Sequence, residues 1–180
     1  MIHRTVVIAI MLLVLAPLTA WAQPSQPYAG MQERRIKSLS EQQIADLKAG
    51  RGMGLAQVAE LNGYPGPAHV LELADKLGLG ADQKEQVKRL FEAMQDETSR
   101  IGEQIIDAEA ELDRGFAAGS ISETGMQEQV RAIAELQGRL RAAHLRYHLV
   151  VARLLTPEQI ARYNELRGYG GTHGGHAHQH

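Results

Sequence analysis

The chain has 180 residues, enough for one domain with tails. Its 19 Lys and Arg against 21 Asp and Glu leave a formal charge of −2, which argues against a nucleic-acid partner. It has no Cys, so disulfides and a lipid-modified cysteine are excluded. Seven Tyr and Phe beside one Trp make the expected core aliphatic, which suits seams between helices better than a thick globular interior.

The first 22 residues read as a signal peptide cleaved after Ala22. Arg4 supplies the positive start, Val6 to Ala16 is unbroken and apolar, and Ala20-Trp21-Ala22 places small residues at the cleavage subsites. Losing Arg4 moves the charge from −2 to −3. Export without Cys implies stability from helix packing alone, and the periplasm is the expected address. Residues 23–37 read as a flexible, Pro-rich arm, and 38–167 as a helical-hairpin domain.

Within that domain Ser40 and Gln43 have capping-box spacing and open a short helix ending near Gly50. Arg51 to Gly54 interrupts the pattern, and Leu55 to Leu61 resumes a turn or two. Asn62-Gly63-Tyr64-Pro65-Gly66-Pro67 is a dense turn signal. Ala68 to Leu77 forms another short helix, broken by Gly78 and Gly80.

Two long helices follow. Val87, Phe91, Met94, Thr98, Ile101, Ile105, Ala108 and Leu112 keep a 4-3-4-3 spacing. Met126, Val130, Ile133, Gln137, Leu140, His144, Tyr147, Val151 and Leu154 repeat it. A 3.5-residue period places each set on one seam. The linker Gly119-Ser120-Ile121-Ser122, with Ser120 and Glu123 at capping-box spacing, is short enough to force an antiparallel hairpin with arms of about 50 Å. Thr156 at N-cap, Pro157 at N1 and Gln159 at N3 start a last helix that Gly168 ends. Residues 168–180 are Gly/His-rich and lack the means to form a core, so disorder without a ligand is expected. The fold class is all-α: a long antiparallel helical hairpin with short flanking helices.

Leu155-Thr156-Pro157-Glu158-Gln159 resembles the Leu-Thr-x-x-Gln motif of the Spy/CpxP family of periplasmic proteins. That family carries the motif twice, each copy opening a helix of a bent hairpin. Leu79-Gly80-Ala81-Asp82-Gln83 stands as the first copy, with Gly in place of the capping Thr. The resemblance implies a helical cradle, usually dimeric, acting as an ATP-independent chaperone or envelope-stress modulator. It also implies kinship with periplasmic heavy-metal sensors and zinc-binding resistance proteins.

Three constellations bear chemistry. His173, His176, His178 and His180 lie within eight residues, a flexible set able to gather Zn²⁺, Ni²⁺ or Cu²⁺. His144 and His148 share a helical face. For a turn near residue 120, facing positions sum to about 240, which brings Glu92 and Asp96 opposite them as a candidate divalent-metal site. The alternative is a His–carboxylate hydrogen bond that satisfies a polar seam residue. Arg139, Arg146 and Arg153 recur every seven residues with Arg131 and Arg141 nearby. Residues 81–118 hold ten acidic and five basic residues, so the arms carry opposite bias. The arginines and Met53, between glycines, are candidate contacts for a client or partner; the plainer reading of the stripe is a solvated face.

No phosphate loop, serine elbow or catalytic Cys is present, so an enzyme is not expected. The leading expectation is a chaperone or stress modulator that binds unfolded envelope proteins or a membrane sensor, as a homodimer requiring no cofactor. The rival is a Zn, Ni or Cu sensor or buffer, and a purely structural adaptor is a third reading.

Overall fold

The computed structural model describes residues 26–169. Residues 1–25, where the signal peptide is expected, and tail residues 170–180, with all four tail histidines, lie outside that range. Among the described residues there is no strand. A 3₁₀ turn at Met31–Glu33 precedes α1 (Glu41–Lys48), α2 (Gln57–Glu60), α3 (Pro67–Glu72), α4 (Ala81–Ala117), α5 (Glu123–Leu154) and α6 (Pro157–Leu166).

The chain reverses between α4 and α5 as expected, but with different chemistry. Gly119 takes φ +61°, its N–H bonds to Phe116 O at 3.0 Å, and Ser120 N–H reaches Gly115 O at 3.3 Å. This double closure is a Schellman motif, which needs the left-handed conformation that glycine adopts at least cost. Ser120 is therefore spent on ending α4. The cap of α5 is Ser122, whose Oγ accepts from Gly125 N–H at 3.1 Å. The capping boxes expected at Ser40–Gln43 and Thr156–Gln159 both form.

The seam of α4 is largely as read: Val87, Met94, Thr98, Ile101 and Ile105 are buried. That of α5 shifts. Ile133, Leu140, His144 and Val151 are inside, but Val130 and Gln137 face solvent while Ala143 and His148 turn inward. Two causes act together. A straight helix drifts about 20° per heptad against a 3.5-residue repeat, and α2 and α3 pack on α5, so its buried face is not the hairpin seam alone.

Two apolar clusters result. In the first, Ile36, Leu39, Ile44 and Leu47 pack on Ile101, Ile105, Ile106, Leu140 and Ala143. Ile36 belongs to the segment expected to be a loose arm, so that arm is anchored at its end. The contact is close: a Cβ on Gly102 would sit 2.2 Å from Leu47 O. In the second, Val70, Leu77, Val87, Val151, Leu155 and Tyr163 bring α3, α4, α5 and α6 together.

Candidate functional site

The second cluster carries two polar joints. The first is a clasp between the two Leu-x-x-x-Gln segments. Gly80 opens α4 without a side-chain cap, so Gln83 has no capping box to complete. Its amide donates instead to Leu154 O at 2.9 Å and to Gln159 Oε1 at 2.8 Å. Gln159 Nε2 returns a bond to Gln83 Oε1 at 3.0 Å, while its Oε1 also accepts from Thr156 N–H at 3.0 Å. Thr156 and Gln159 thus cap α6, Gln159 locks it to the start of α4, and Leu155 joins the apolar cluster beneath.

The second joint centres on Glu60, 8% exposed. The Tyr163 hydroxyl donates to Oε1, and Gly66 N–H donates to Oε2 at 3.3 Å. Arg167 Nε stands 3.6 Å from Oε1 and His69 Nδ1 3.4 Å from it, while His148 Nδ1 lies 3.7 Å from Oε2. One carboxylate thereby ties α2 to α3, α5 and α6. A buried carboxylate is retained only with such donors around it. Burial, then the bond to Glu60, holds the Tyr163 phenol well above its usual range, so it stays a donor. Sequence reasoning missed Glu60 altogether. The available signal was a carboxylate inside the apolar Leu55–Leu61 run.

The expected four-residue metal set does not converge. Glu92 and Asp96 are exposed and pair within α4, with Lys88 at 3.8 Å and Arg100 at 2.9 Å. The α4 residue that meets α5 here is Glu97, which accepts from Arg146 and, at 3.1 Å, from the Tyr147 hydroxyl. The facing sum is therefore 243 to 244, and Glu92 and Asp96, two residues either side of buried Met94, lie on the face of α4 away from the seam. His144 and His148 turn elsewhere. His148 Nδ1 lies 2.7 Å from Tyr64 O, and a Cβ on Gly66 would sit 2.8 Å from its Nε2. His144, 2% exposed, lies against Gly52 with Nε2 unpartnered. Burial, then neighbouring His148, lowers its pKa and holds it neutral. Among the described residues no three His, Cys, Asp or Glu side chains are placed to hold a metal by themselves.

The client-contact candidates divide. Arg131, Arg139 and Arg153 are exposed. Arg146 is committed to Glu97 and lies over the Tyr147 ring at 5.2 Å. Arg153 and Arg89 edge a groove of about 390 Å³ floored by Leu90, Val150 and Leu154, formed by α4 and α5 alone. Met53 is 43% exposed and is the one non-glycine residue with positive φ (43°) among those described. It borders an apolar cavity with Leu39, Leu47, Leu55, Ile105 and Leu140. It also borders a second, more polar one of about 320 Å³ with Glu60, His69, His148, Arg167 and Tyr169.

An antiparallel hairpin whose two Leu-x-x-x-Gln helix starts are clasped together defines an all-α hairpin class. The chain belongs to the LTXXQ motif family, which matches residues 68–167 and is the family of Spy/CpxP-like periplasmic proteins. The matched span runs from α3 through α6 and contains both motif copies. No curated protein and no solved structure matches the chain.

Proposed function

We propose that this chain is a periplasmic, ATP-independent chaperone or envelope-stress modulator of Spy/CpxP type, working as a homodimer and catalysing no reaction. Its partners are unfolded or stressed envelope proteins or a membrane sensor. The observation that carries the reading is the open α4–α5 groove, where Leu90, Val150 and Leu154 are accessible between Arg89 and Arg153. Apolar floor and guanidinium rim together suit a partly unfolded segment that presents both apolar and acidic side chains. In an aggregation assay with a reduced or acid-denatured client, the wild-type protein slows light scattering, and Val150→Asp with Arg153→Glu removes most of that effect while helicity is retained. A wild-type protein that leaves aggregation unchanged at molar excess overturns the reading.

A second reading, a periplasmic Zn, Ni or Cu sensor or buffer, draws support from His173, His176, His178 and His180, four imidazoles within eight residues. His144 and His148 give it little: His148 Nδ1 sits on Tyr64 O with Nε2 against Gly66, and His144 is 2% exposed. Calorimetry of the full chain and of one ending at Gly171 tests it: zinc or nickel binding is lost with the tail, and unchanged binding overturns a tail site.

A further inference from the structure

We infer that the turn at residues 51–54 is an acid-released flap: a proton taken up by His144 lifts Gly52, Met53 and Gly54 off α5 and uncovers the apolar surface beneath. The inference needs no client and stands apart from the chaperone reading.

His144 is 2% exposed and its Nε2 has no hydrogen-bond partner. A neutral ring can stay there, but the imidazolium carries two N–H donors and a charge that burial penalises. Its surroundings offer that charge no relief. On α5 the nearest titratable group is His148, one turn on, which repels a second cation. Among the described residues the histidines that approach a carboxylate are His69 and His148, both at Glu60. From α2, Glu60 is already engaged by Tyr163 of α6 and Gly66, with Arg167 at 3.6 Å and His69 of α3 at 3.4 Å. From α4, Glu97 is taken by Arg146 and the Tyr147 hydroxyl. From the turn itself, Arg51 pairs with Asp46 of α1. Burial, then His148, accordingly lowers the His144 pKa.

The element over His144 that gives way most easily is the turn. Gly52 rests on the ring, where a Cβ would stand 3.9 Å from Cε1 and Nδ1. Its backbone bonds are internal, Leu55 N–H to Gly52 O at 2.7 Å and Gln57 N–H to Gly54 O at 3.1 Å. Among the described residues no hydrogen bond ties 52–54 to α4 or α5. Met53 holds φ +43°, a conformation that a Cβ disfavours, so release relieves the backbone. The flanks stay put: Thr98 Oγ1 lies 3.1 Å from Gly50 O, and His148 Nδ1–H donates to Tyr64 O at 2.7 Å. Met53 and Leu55 border, with Leu39, Leu47, Ile105 and Leu140, an apolar cavity of about 230 Å³. Lifting the turn opens it. The α4–α5 seam is held by two apolar clusters, so the local opening costs less than unfolding. With the turn open the ring meets water and titrates near 6.5. The closed form is therefore fully favoured above about pH 6.5 and is lost progressively below it.

The test is amide hydrogen exchange on the full chain at about pH 7.5 and pH 5, corrected for intrinsic rates, in wild type, His144→Gln and His144→Leu. The expected result is that protection at residues 52–56 falls several-fold in wild type, up to about thirtyfold. Protection at residues 101–106 and 140–143 holds, and neither variant shows the fall. Fluorescence of an apolar dye, bis-ANS, rises over the same pH range in wild type alone. The midpoint of the wild-type exchange change coincides with that of the His144 ring signal in an NMR titration, a readout that needs neither variant to fold. Protection that does not fall, or falls equally in the turn and along the α4–α5 seam, overturns the flap. A fall that persists in His144→Gln, or a midpoint away from that of the His144 ring, overturns His144 as its trigger.

Discussion

The two polar joints at the base of the hairpin solve the same problem with opposite chemistry. The Gln83–Gln159 clasp is neutral and half-buried, and its amides find partners in each other and in a helix terminus. The Glu60 joint is ionic and buried, with hydrogen bonds from Tyr163 and Gly66 and with Arg167 and His69 close by. A neutral amide pair loses little when one member is removed, because water can reach what remains. A buried carboxylate that loses its donors, or donors that lose their carboxylate, are left without hydration.

Replacement should separate the two joints most sharply at Glu60. Glu60→Ala strands Tyr163, Arg167 and Gly66 N–H, and a loss of about 3–5 kcal/mol is expected in urea unfolding. Glu60→Gln, which keeps the shape, costs less. A loss under 1 kcal/mol for the alanine variant (on the order of a surface pair) would show that the joint is no more than the clasp.

Acid probes the region between the joints. Folded His144 has a pKa below the usual 6.5, so the unfolded chain binds its proton first. Stability is full above about pH 6.5 and falls as pH drops through and below it, by at most about 1.4 kcal/mol per pH unit. His144→Leu should flatten the part of the melting-temperature profile between pH 7 and 5 that this group supplies. An unchanged slope assigns the acid sensitivity elsewhere.

The clasp should give the smallest effects. Gln83→Ala is expected to cost about 0.5–1.5 kcal/mol, and Gln159→Ala somewhat more because it also breaks the α6 capping box. A double-mutant cycle in thermal unfolding reports their coupling, which should be well under that between Glu60 and Tyr163.

The contrast also explains what could be read from residue order. Caps at Ser40 and Thr156, the reversal near Gly119 and most of the α4 seam are local: spacing of three, four or seven residues specifies them. The clasp was half visible, since both glutamines stand out as motif members, but nothing local says that they meet. Glu60 was invisible because α2 is a single turn without usable periodicity, and its partner Tyr163 lies 103 residues away. The Glu92–Asp96 error has one cause. Matching positions by their sum ignored the helical period: Glu92 and Asp96 flank Met94 by two residues and so face away from the seam, and Glu97 meets α5 instead, at Arg146 and Tyr147. The His–carboxylate alternative fits no better: His148 Nδ1 bonds the Tyr64 carbonyl with Glu60 3.7 Å away, and His144, the seam residue, keeps Nε2 unpartnered.

The hairpin is unevenly clad along its length. The N-terminal segment reaches out as far as Lys37 and Ser38, which bond Asp113 and Glu109. Past that point, among the described residues, the outermost turns pack against each other, and Phe116 is 61% exposed. A pull on the Gly119 end would therefore unzip the rod from its tip inward, while the base stayed shut.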